Sequence, residues 1–347
     1  MCIPLYFVNR LILVDGYLLL IAKILAYTCV YCVFAWIFIM NKYEKGLVLS
    51  VFGKIKILFK RKKNVEKPAP EEKSVDSYEF ENIENRHICI KNKSQCCGCE
   101  SCVNSCPVQC IVMEEDKEGF RYPVVDESKC IKCGKCLKAC FYSNNQLPEN
   151  VPVQAYACYN SNEEERKESS SGGLFILFAQ EIIARGGAVY GAAFDAQNGA
   201  VTMRADTMEK CARFRGSKYV QSCINNIYAD VRQDLENGKF VLFTGTPCQI
   251  NGLNTYLSGV DCSKLFCVDI ICHGVPSTLM FRKYVEYLEE KYKSKVKYIG
   301  FRDKKWGWLR SVVVVVVEDG RVLRPKKYKQ DVYIKAFLSD VLLRPAC

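Results

Sequence analysis

Two short runs of cysteine are the part of this sequence best suited to bind metal. Each run has the spacing C-x2-C-x2-C-x3-C, and Pro107 follows the first run. The first run is Cys96, Cys99, Cys102 and Cys106, and the second is Cys130, Cys133, Cys136 and Cys140. Three thiolates at this spacing can surround one [4Fe–4S] cluster, while the fourth thiolate of each run binds the other cluster.

The spacing therefore predicts two [4Fe–4S] clusters with crossed ligands. We define the first cluster site as Cys96, Cys99, Cys102 and Cys140, and the second as Cys130, Cys133, Cys136 and Cys106. Zinc sites use paired C-x2-C motifs and do not need a third thiolate at this spacing. Disulfides stabilise small secreted domains, whereas a chain of 347 residues can bury cores in roughly two or three domains. The adjacent Cys97 and Cys110 are predicted to be packing thiols.

The segment between the two runs, "CIVMEEDKEGFRYPVVDESKC", contains strand-like apolar pieces around an acidic turn. This arrangement resembles the bacterial two-cluster ferredoxin, although Phe141 stands where a second proline is usual. We therefore predict an α+β two-cluster ferredoxin domain over residues 91–147.

The N-terminal part of the chain is predicted to contain a transmembrane helix. Residues 18–40 are apolar apart from Lys23, and the stretch is long enough to cross roughly 30 Å of hydrocarbon. It is too long for a cleaved signal peptide and lacks a small-residue cleavage site. Lys42 and Lys45 begin a basic flank, which predicts that the rest of the chain lies at the cytoplasmic face of the cell membrane. Thiols remain reduced in that compartment.

The basic flank continues into residues 47–59, where apolar side chains recur at helical spacing between lysines. We expect a helix that lies on the lipid surface or packs on the next domain. Much of the positive charge behind the formal net charge of +11 clusters here, beside the predicted membrane helix, so we expect no nucleic-acid partner. Residues 1–60 are thus predicted to be a membrane segment, and the charged residues 61–90 a linker.

The sequence "MNKYEKGLVL" after the apolar stretch resembles the last helix and tail of polysaccharide flippases of the O-antigen type. This resemblance covers about the first 65 residues. It implies that the tail of a membrane protein is joined to a redox protein, which would be soluble and cytoplasmic without that tail.

Residues 151–347 are predicted to form an α/β domain. The segments "GAVYGAAF", "KFVLFTG" and "LFCVDIIC" have the composition of buried strands, and they alternate with helical patterns at residues 174–184, 222–237 and 278–291. In such sheets, ligands bind beyond the carboxyl ends of the strands. The loops "GTPCQ" and "CHGVPS" are therefore candidate site loops.

Six motifs in this order, "SSSGG", "GSKYVQS", "GTPCQINGL", "VDIICHGVPS", "FRDKKWGW" and "LRPAC", closely resemble the coenzyme F420 hydrogenase/dehydrogenase beta-subunit family. The resemblance runs from about residue 91 to the last residue. It implies a flavin, FAD or FMN, and electron transfer between iron–sulfur clusters and F420 or another two-electron acceptor. It also implies a redox partner protein or ferredoxin.

The resemblance further implies particular site residues. The flavin or deazaflavin would lie near Ser170, Ser171, Gly172, Gly173, Gly216, Ser217, Lys218 and Tyr219. Thr246 and His273 would be close to the same site, with His273 as a candidate proton donor or, alternatively, a structural histidine.

A third [4Fe–4S] cluster is also implied, because Cys248, Cys272 and Cys347 lie in the matching motifs. The family continues past Cys347 with a further cysteine and a longer tail. Either the third cluster is absent or incomplete, or this sequence is truncated at its C-terminus.

Three functions are compatible with these patterns. The first is an iron–sulfur flavoprotein oxidoreductase, in which a flavin connects one-electron and two-electron chemistry. The alternatives are a membrane-tethered electron carrier without enzymatic activity, or a sugar-modifying reductase of a polysaccharide pathway.

Overall fold

The computed structural model describes Thr28 and residues 86–144, 154–195, 199–304, 312–323 and 331–347. The chain separates into two units, Met1–Ser77 and Tyr78–Cys347. In the first unit Thr28 alone is described. Every element discussed below belongs to the second unit.

The cysteine-rich segment is built around a β-hairpin and very short helices. Strands β1 (Ile111–Glu115) and β2 (Arg121–Val125) pair antiparallel, with Ile111 opposite Val125. The helices are α1 (Ser101–Asn104), α2 (Lys135–Lys138) and α3 (Phe141–Asn144). The hairpin confirms the predicted strand-like pieces between the cysteine runs.

The two cysteine runs fold in the same way because each contains two residues in the left-handed backbone region. In the first run these residues are Gly98, with φ 69°, and Glu100, with φ 63°. In the second run they are Lys132, with φ 54°, and Gly134, with φ 71°. Each pair turns the backbone so that three thiols face one side, and a one-turn helix then begins.

The next part of the chain forms a four-stranded sheet covered by helices. Its elements are α4 (Glu163–Lys167), α5 (Leu174–Ala184), β3 (Ala188–Phe194), β4 (Ala200–Ala205), α6 (Met208–Ala212), α7 (Ile227–Glu236), β5 (Val241–Gly245), α8 (Pro247–Tyr256) and β6 (Leu265–Asp269). The strand order is β4-β3-β5-β6, in which β3, β5 and β6 are parallel and β4 is antiparallel to β3. The predicted α/β alternation with parallel strands is thus confirmed.

This sheet has its core where the apolar strand residues meet the helices. Tyr190 and Phe243 are fully buried on adjacent strands and pack against Tyr228 of α7. The Tyr190 hydroxyl donates to the Asp234 carboxylate, which also accepts from Arg204. A buried carboxylate is stable in this position because several donors satisfy it.

The last part of the chain adds a three-stranded antiparallel sheet and two helices. Its elements are α9 (Thr278–Tyr292), β7 (Val296–Asp303), β8 (Val312–Val317), β9 (Val322–Leu323) and α10 (Val332–Leu338). Phe281, Phe301 and Tyr333 meet in its aromatic core. This second sheet was not predicted from the sequence.

The predicted fold class needs a correction, because it included a transmembrane helix. In the described parts of the chain, no helix combines the length and the apolar character that crossing a membrane requires. Helix α9, for example, has 15 residues and buries only one face, whereas a membrane span takes about 20 apolar residues. The predicted helix at residues 18–40 lies outside the described residues apart from Thr28.

The fold is therefore a mixed α/β fold with a cysteine-rich domain, and the transmembrane part of the predicted class was wrong. The predicted membrane segment, apart from Thr28, and residues 61–85 of the predicted linker also lie outside the described residues. Residues 86–90 are described, and Ile88 is buried beside Cys136, so this end of the predicted linker packs on the cysteine-rich segment. The localisation of the chain stays a prediction.

The two left-handed glycines of the cysteine runs give a matched pair for a stability test. An alanine Cβ at position 98 would lie 2.6 Å from Gln221 Nε2 and 2.8 Å from Arg344 Nη1, whereas one at position 134 meets nothing within 4 Å. The left-handed conformation costs each alanine variant about 1 kcal/mol. We expect Gly98→Ala to lower the free energy of unfolding by about 3 kcal/mol, because it also displaces hydrogen-bonded side chains.

Chemical denaturation of both variants, prepared with iron and sulfide, measures this difference. Equal losses of stability in Gly98→Ala and Gly134→Ala would contradict the close packing around Gly98.

Candidate redox centre and adjoining cleft

The first cluster site is a small cavity lined by cysteines from both runs. Cys96, Cys99 and Cys102 line it together with Cys140, the last cysteine of the second run. Burial raises the pKa of the Cys102 thiol well above its usual value. The structure thus brings together the cysteines that the crossed assignment places in one site.

The second cluster site is a separate cavity, lined by Cys106, Cys130, Cys133 and Cys136. Backbone N–H groups point at its sulfur atoms: Ile88 donates to Cys136 Sγ at 3.3 Å, and Cys110 donates to Cys106 Sγ at 3.4 Å. Such donors stabilise thiolates, which are the form that binds iron. Cys110 is buried beside Cys106, with 3.5 Å between their sulfur atoms, as expected for a packing thiol.

Both cavities fit a cluster better than a single metal ion. In the described part of the chain, no three His, Cys, Asp or Glu side chains converge closely enough to ligate one ion. The thiolates of a [4Fe–4S] cluster bind different iron atoms, so they lie farther apart than the ligands of one ion. Four thiols around each cavity match that arrangement.

A third group of cysteines lies beside the first cluster site, and we call it the interdomain thiol group. It contains Cys248 at the start of α8, Cys272 after β6, and Cys347. A Cβ on Gly274 would lie 3.2 Å from the Cys347 Cβ, so the loop that carries Cys272 packs against Cys347. Burial, followed by the charges of Cys248 and Cys347, raises the pKa of Cys272. Cys97 joins them through a hydrogen bond with Cys248. The prediction that Cys97 serves only in packing therefore missed its position.

Tyr142 lies near both the first cluster site and the interdomain thiol group. Its ring lines the first cavity. Burial, followed by the charges of Cys97, Cys248 and Cys347, raises its pKa to about 12. Cys97 lines the same cavity, so the two groups of thiols adjoin each other.

Arg344 holds the segment that carries Cys347 against the first cysteine run. Its buried guanidinium donates to the Cys96 carbonyl at 2.6 Å, to the Arg121 carbonyl at 2.8 Å and to Gln221 Oε1 at 2.9 Å. Gln221 Nε2 in turn donates to the Cys97 carbonyl at 3.1 Å. Nothing in the sequence indicates that Arg344 is buried and joins these segments, because arginine is normally exposed.

Helix α8 covers the other side of the first cluster site. A Cβ on Gly252 would lie only 3.1 Å from Cys99 Sγ, so the helix backbone approaches this thiol closely. Ser101 donates to the Gly252 carbonyl at 2.9 Å, and Thr255 donates to the Ala139 carbonyl at 2.9 Å. The first cluster site is therefore enclosed between the cysteine-rich segment and the larger α/β part.

An open cleft of about 880 Å³ lies in the α/β part. It is lined on one side by the serine–glycine loop and the "GSK" turn, and on the other by β7 and the residues that follow it. Ser217 donates its backbone N–H to Ser170 Oγ at 2.8 Å, which joins the first two loops. The volume suits a cofactor or substrate of considerable size.

The cleft contains half of the residues predicted to lie near a flavin. Ser170, Gly216, Ser217 and Lys218 line it. The other four predicted residues, Ser171, Gly172, Gly173 and Tyr219, are not among the lining residues. The Ser171 carbonyl accepts from Lys304, and Gly173 begins α5 with φ 78°.

Gly172 and Tyr219 also lie outside the lining. The Gly172 carbonyl accepts from the backbone N–H of the buried Asn160 at 2.7 Å. Tyr219 packs on Phe337 with 4.8 Å between ring centroids. These residues therefore shape the loops and do not face the cleft.

The cleft is positively charged, which the sequence did not reveal. Its cations come from separate parts of the chain and include Arg166, Arg213, Arg215, Arg302 and Lys304. Burial, followed by the neighbouring Arg213 charge, lowers the pKa of Lys218 to about 7. A negatively charged group bound beside Lys218 would favour its protonated form. The cleft is thus suited to phosphate or carboxylate groups.

Thr246 and His273 lie with the interdomain thiol group and are not among the residues that line the cleft. Thr246 Oγ1 is 3.1 Å from Cys248 Sγ. His273 Nε2 is 2.9 Å from Asp340 Oδ1, and its ring packs edge-on against Phe337. The role of His273 as a proton donor stays a prediction.

Comparison with known proteins gives two family matches. Residues 95–144 match the 4Fe–4S dicluster domain. Residues 238–338 match the C-terminal domain of the coenzyme F420 hydrogenase/dehydrogenase beta subunit. The first match covers all eight cysteines of the two runs.

A curated relative and a solved structure are also similar. NADH-quinone oxidoreductase subunit I 2 of Geobacter metallireducens is 30% identical over 101 residues, which are 27% of this chain and 76% of that protein. A chain of the F420-reducing [NiFe] hydrogenase complex from Methanosarcina barkeri is 20% identical, with a TM-score of 0.35. That similarity covers 51% of this chain and 63% of the hydrogenase chain.

Two parts of the chain thus correspond to recognised domains: the paired cysteine runs to a 4Fe–4S dicluster domain, and residues 238–338 to the C-terminal domain of the coenzyme F420 hydrogenase/dehydrogenase beta subunit. The chain is an iron–sulfur oxidoreductase that carries both.

Proposed function

We propose that this chain is an iron–sulfur flavoprotein that transfers electrons between a redox partner protein and coenzyme F420 or another two-electron acceptor. The observation that carries the proposal is the basic cleft, which offers volume and cations for a flavin with its phosphate groups. When bound, iron–sulfur clusters carry single electrons, and a flavin converts single-electron transfer into two-electron transfer.

The residues of the cleft are suited to hold FAD or FMN. Ser170 and Ser217 supply hydroxyl groups, and the exposed Gly216, with φ 83°, leaves its backbone open to a ligand. Arg302 and Lys218 supply positive charge for phosphate oxygens.

The interdomain thiol group is proposed to hold a third [4Fe–4S] cluster. Cys248, Cys272 and Cys347 are its predicted ligands, and Cys97 is a fourth thiol beside Cys248. A [4Fe–4S] cluster takes four thiolates, which these residues can supply. The crossed assignment of the eight other cysteines belongs to the same proposal and is supported by the linings of the two cavities.

The cofactor content of the full chain, purified without oxygen, tests this proposal. We expect about twelve irons and about one flavin per chain, and we expect Cys248→Ser to retain about eight irons together with the flavin. Cys97→Ser should lose the same amount of iron as Cys248→Ser. The matched control is Cys158→Ser, since Cys158 is exposed and lies outside all three groups.

Two results would contradict these expectations. If the unchanged chain holds only about eight irons, there is no third cluster. If it holds iron and sulfide without flavin, the chain is an electron carrier and not a flavoenzyme.

The pKa of Lys218 predicts how flavin binding depends on pH. A bound phosphate stabilises the charged ammonium, so the pKa of Lys218 is higher in the complex than its value of about 7 in the free protein. Binding then takes up a proton between these two pKa values. We expect constant affinity below about pH 7 and a loss of up to about tenfold per pH unit above it.

Equilibrium titration of the flavin-free chain with FAD across this range measures the effect. Lys218→Gln should bind FAD more weakly at low pH and should not show the decrease above neutral pH. Lys283→Gln is the control, because Lys283 is exposed on α9, outside the cleft. A decrease that persists in Lys218→Gln would show that another group is responsible.

The acceptor can be identified by turnover. The chain, supplied with a chemical reductant, should reduce F420 in a reaction that requires the bound flavin. Activity with nucleotide sugars but not with F420 would instead support the sugar-modifying reductase.

A further inference from the structure

The two cluster sites differ in how much of each is accessible from outside. The first is covered by α8, which contacts Cys99 and the carbonyl of Ala139. At the second, Cys133 is exposed, and two apolar residues of the cavity lining, Ile131 and Val108, are 61% and 38% exposed. Electron transfer from another protein requires close approach, so a partner can reach the second site far more easily than the first.

Positive charge surrounds this exposed site. Lys129, Lys132 and Lys135 are exposed around the cysteines of the second run, and Arg86 is exposed at the edge of the cavity. Lys132 is held outward in the left-handed backbone region, with φ 54°. In contrast to the cleft, no predicted function of the chain uses these residues.

Two acidic residues lie in the same region and offset part of its charge. Asp126 pairs with Lys129 at 2.9 Å. Glu127 is exposed, 3.7 Å from the buried His87, and offsets one of the three remaining cations. The surface therefore retains positive charge at Lys132, Lys135 and Arg86 around an apolar centre, which is the composition of a protein interface with a polar rim.

We propose that this surface, formed by Val108, Ile131, Lys132, Cys133 and Lys135, is the docking site for an acidic one-electron carrier protein. Charge complementarity would steer such a carrier to the exposed site, while the small apolar centre allows brief contact. In each encounter one electron moves between the carrier and the clusters of this chain, so one is oxidised and the other is reduced by one electron. The proposal rests on the cluster assignment above, but not on the flavin or the acceptor.

Electron transfer from the reduced full chain to two acceptors of opposite charge tests the proposal. Rubredoxin is an acidic one-iron carrier, and cytochrome c is a basic haem carrier, and the visible absorbance of each reports its own reduction. In the double variant Lys132→Glu/Lys135→Glu we expect the rate with rubredoxin to fall about tenfold at low salt. The rate with cytochrome c should rise, and both differences should disappear at high salt.

The matched control is Lys283→Glu, which makes the same type of charge change at an exposed position on α9. It should leave both rates unchanged. Equal slowing of both acceptors in the double variant, or an effect of the same size in Lys283→Glu, would overturn the proposal. Iron content, measured first, separates loss of the clusters from loss of docking, and a chain without flavin still gives a valid result.

Discussion

The buried guanidinium of Arg344 is the contact on which the relation between the cysteine-rich segment and the α/β part depends. Burying a charged group is unfavourable unless its donors are satisfied. Here Nε, Nη1 and Nη2 each have an acceptor, and the Tyr122 ring lies 4.3 Å from the guanidinium carbon. This set of partners exists in only one arrangement of the segments, so it fixes Cys347 near Cys97.

The same arrangement explains why two similar cysteine runs give two different environments. Local geometry is shared, since each run uses a pair of left-handed residues before a one-turn helix. Their surroundings differ because Gly98 packs against Gln221 and Arg344, whereas Gly134 faces open space. A repeated motif has therefore produced one enclosed site and one exposed site, so the two ends of the dicluster domain are not equivalent.

Much of the fold could be predicted because its signals are local in the sequence. The cysteine spacing predicts both cavities, since only two or three residues separate consecutive cysteines in each run. Helix α5 occupies Leu174–Ala184 as predicted, whereas the helix predicted from residue 222 begins at Ile227. Cys223 instead forms a β-bridge with Val201, and a turn at residues 225–226 precedes the helix. That contact joins distant parts of the chain, so no periodicity reveals it.

The candidate site was less predictable for the same reason. The cations of the cleft come from several loops, and no short motif contains them together. Cys97 looked like an extra thiol because its neighbours Cys96 and Cys99 account for the cluster motif, while Cys248, its partner, is far away in the sequence. His273 attracted attention as a rare titratable residue, yet it pairs with Asp340 away from the cleft lining. Composition identifies the chemistry that is available, but tertiary contacts decide where it is used.

Folding and cluster binding would be coupled if the interdomain thiol group holds the proposed third cluster. Its cysteines come from the cysteine-rich segment, from the start of α8, from the loop after β6 and from the segment of Arg344, so no unfolded chain brings them together. Burial raises the pKa of Cys272 and Cys347, so binding iron there would release their protons. Free energy released by cluster assembly would therefore also stabilise the contact between the two domains. A group placed in this way serves both as a proposed electron-transfer site and as a structural link.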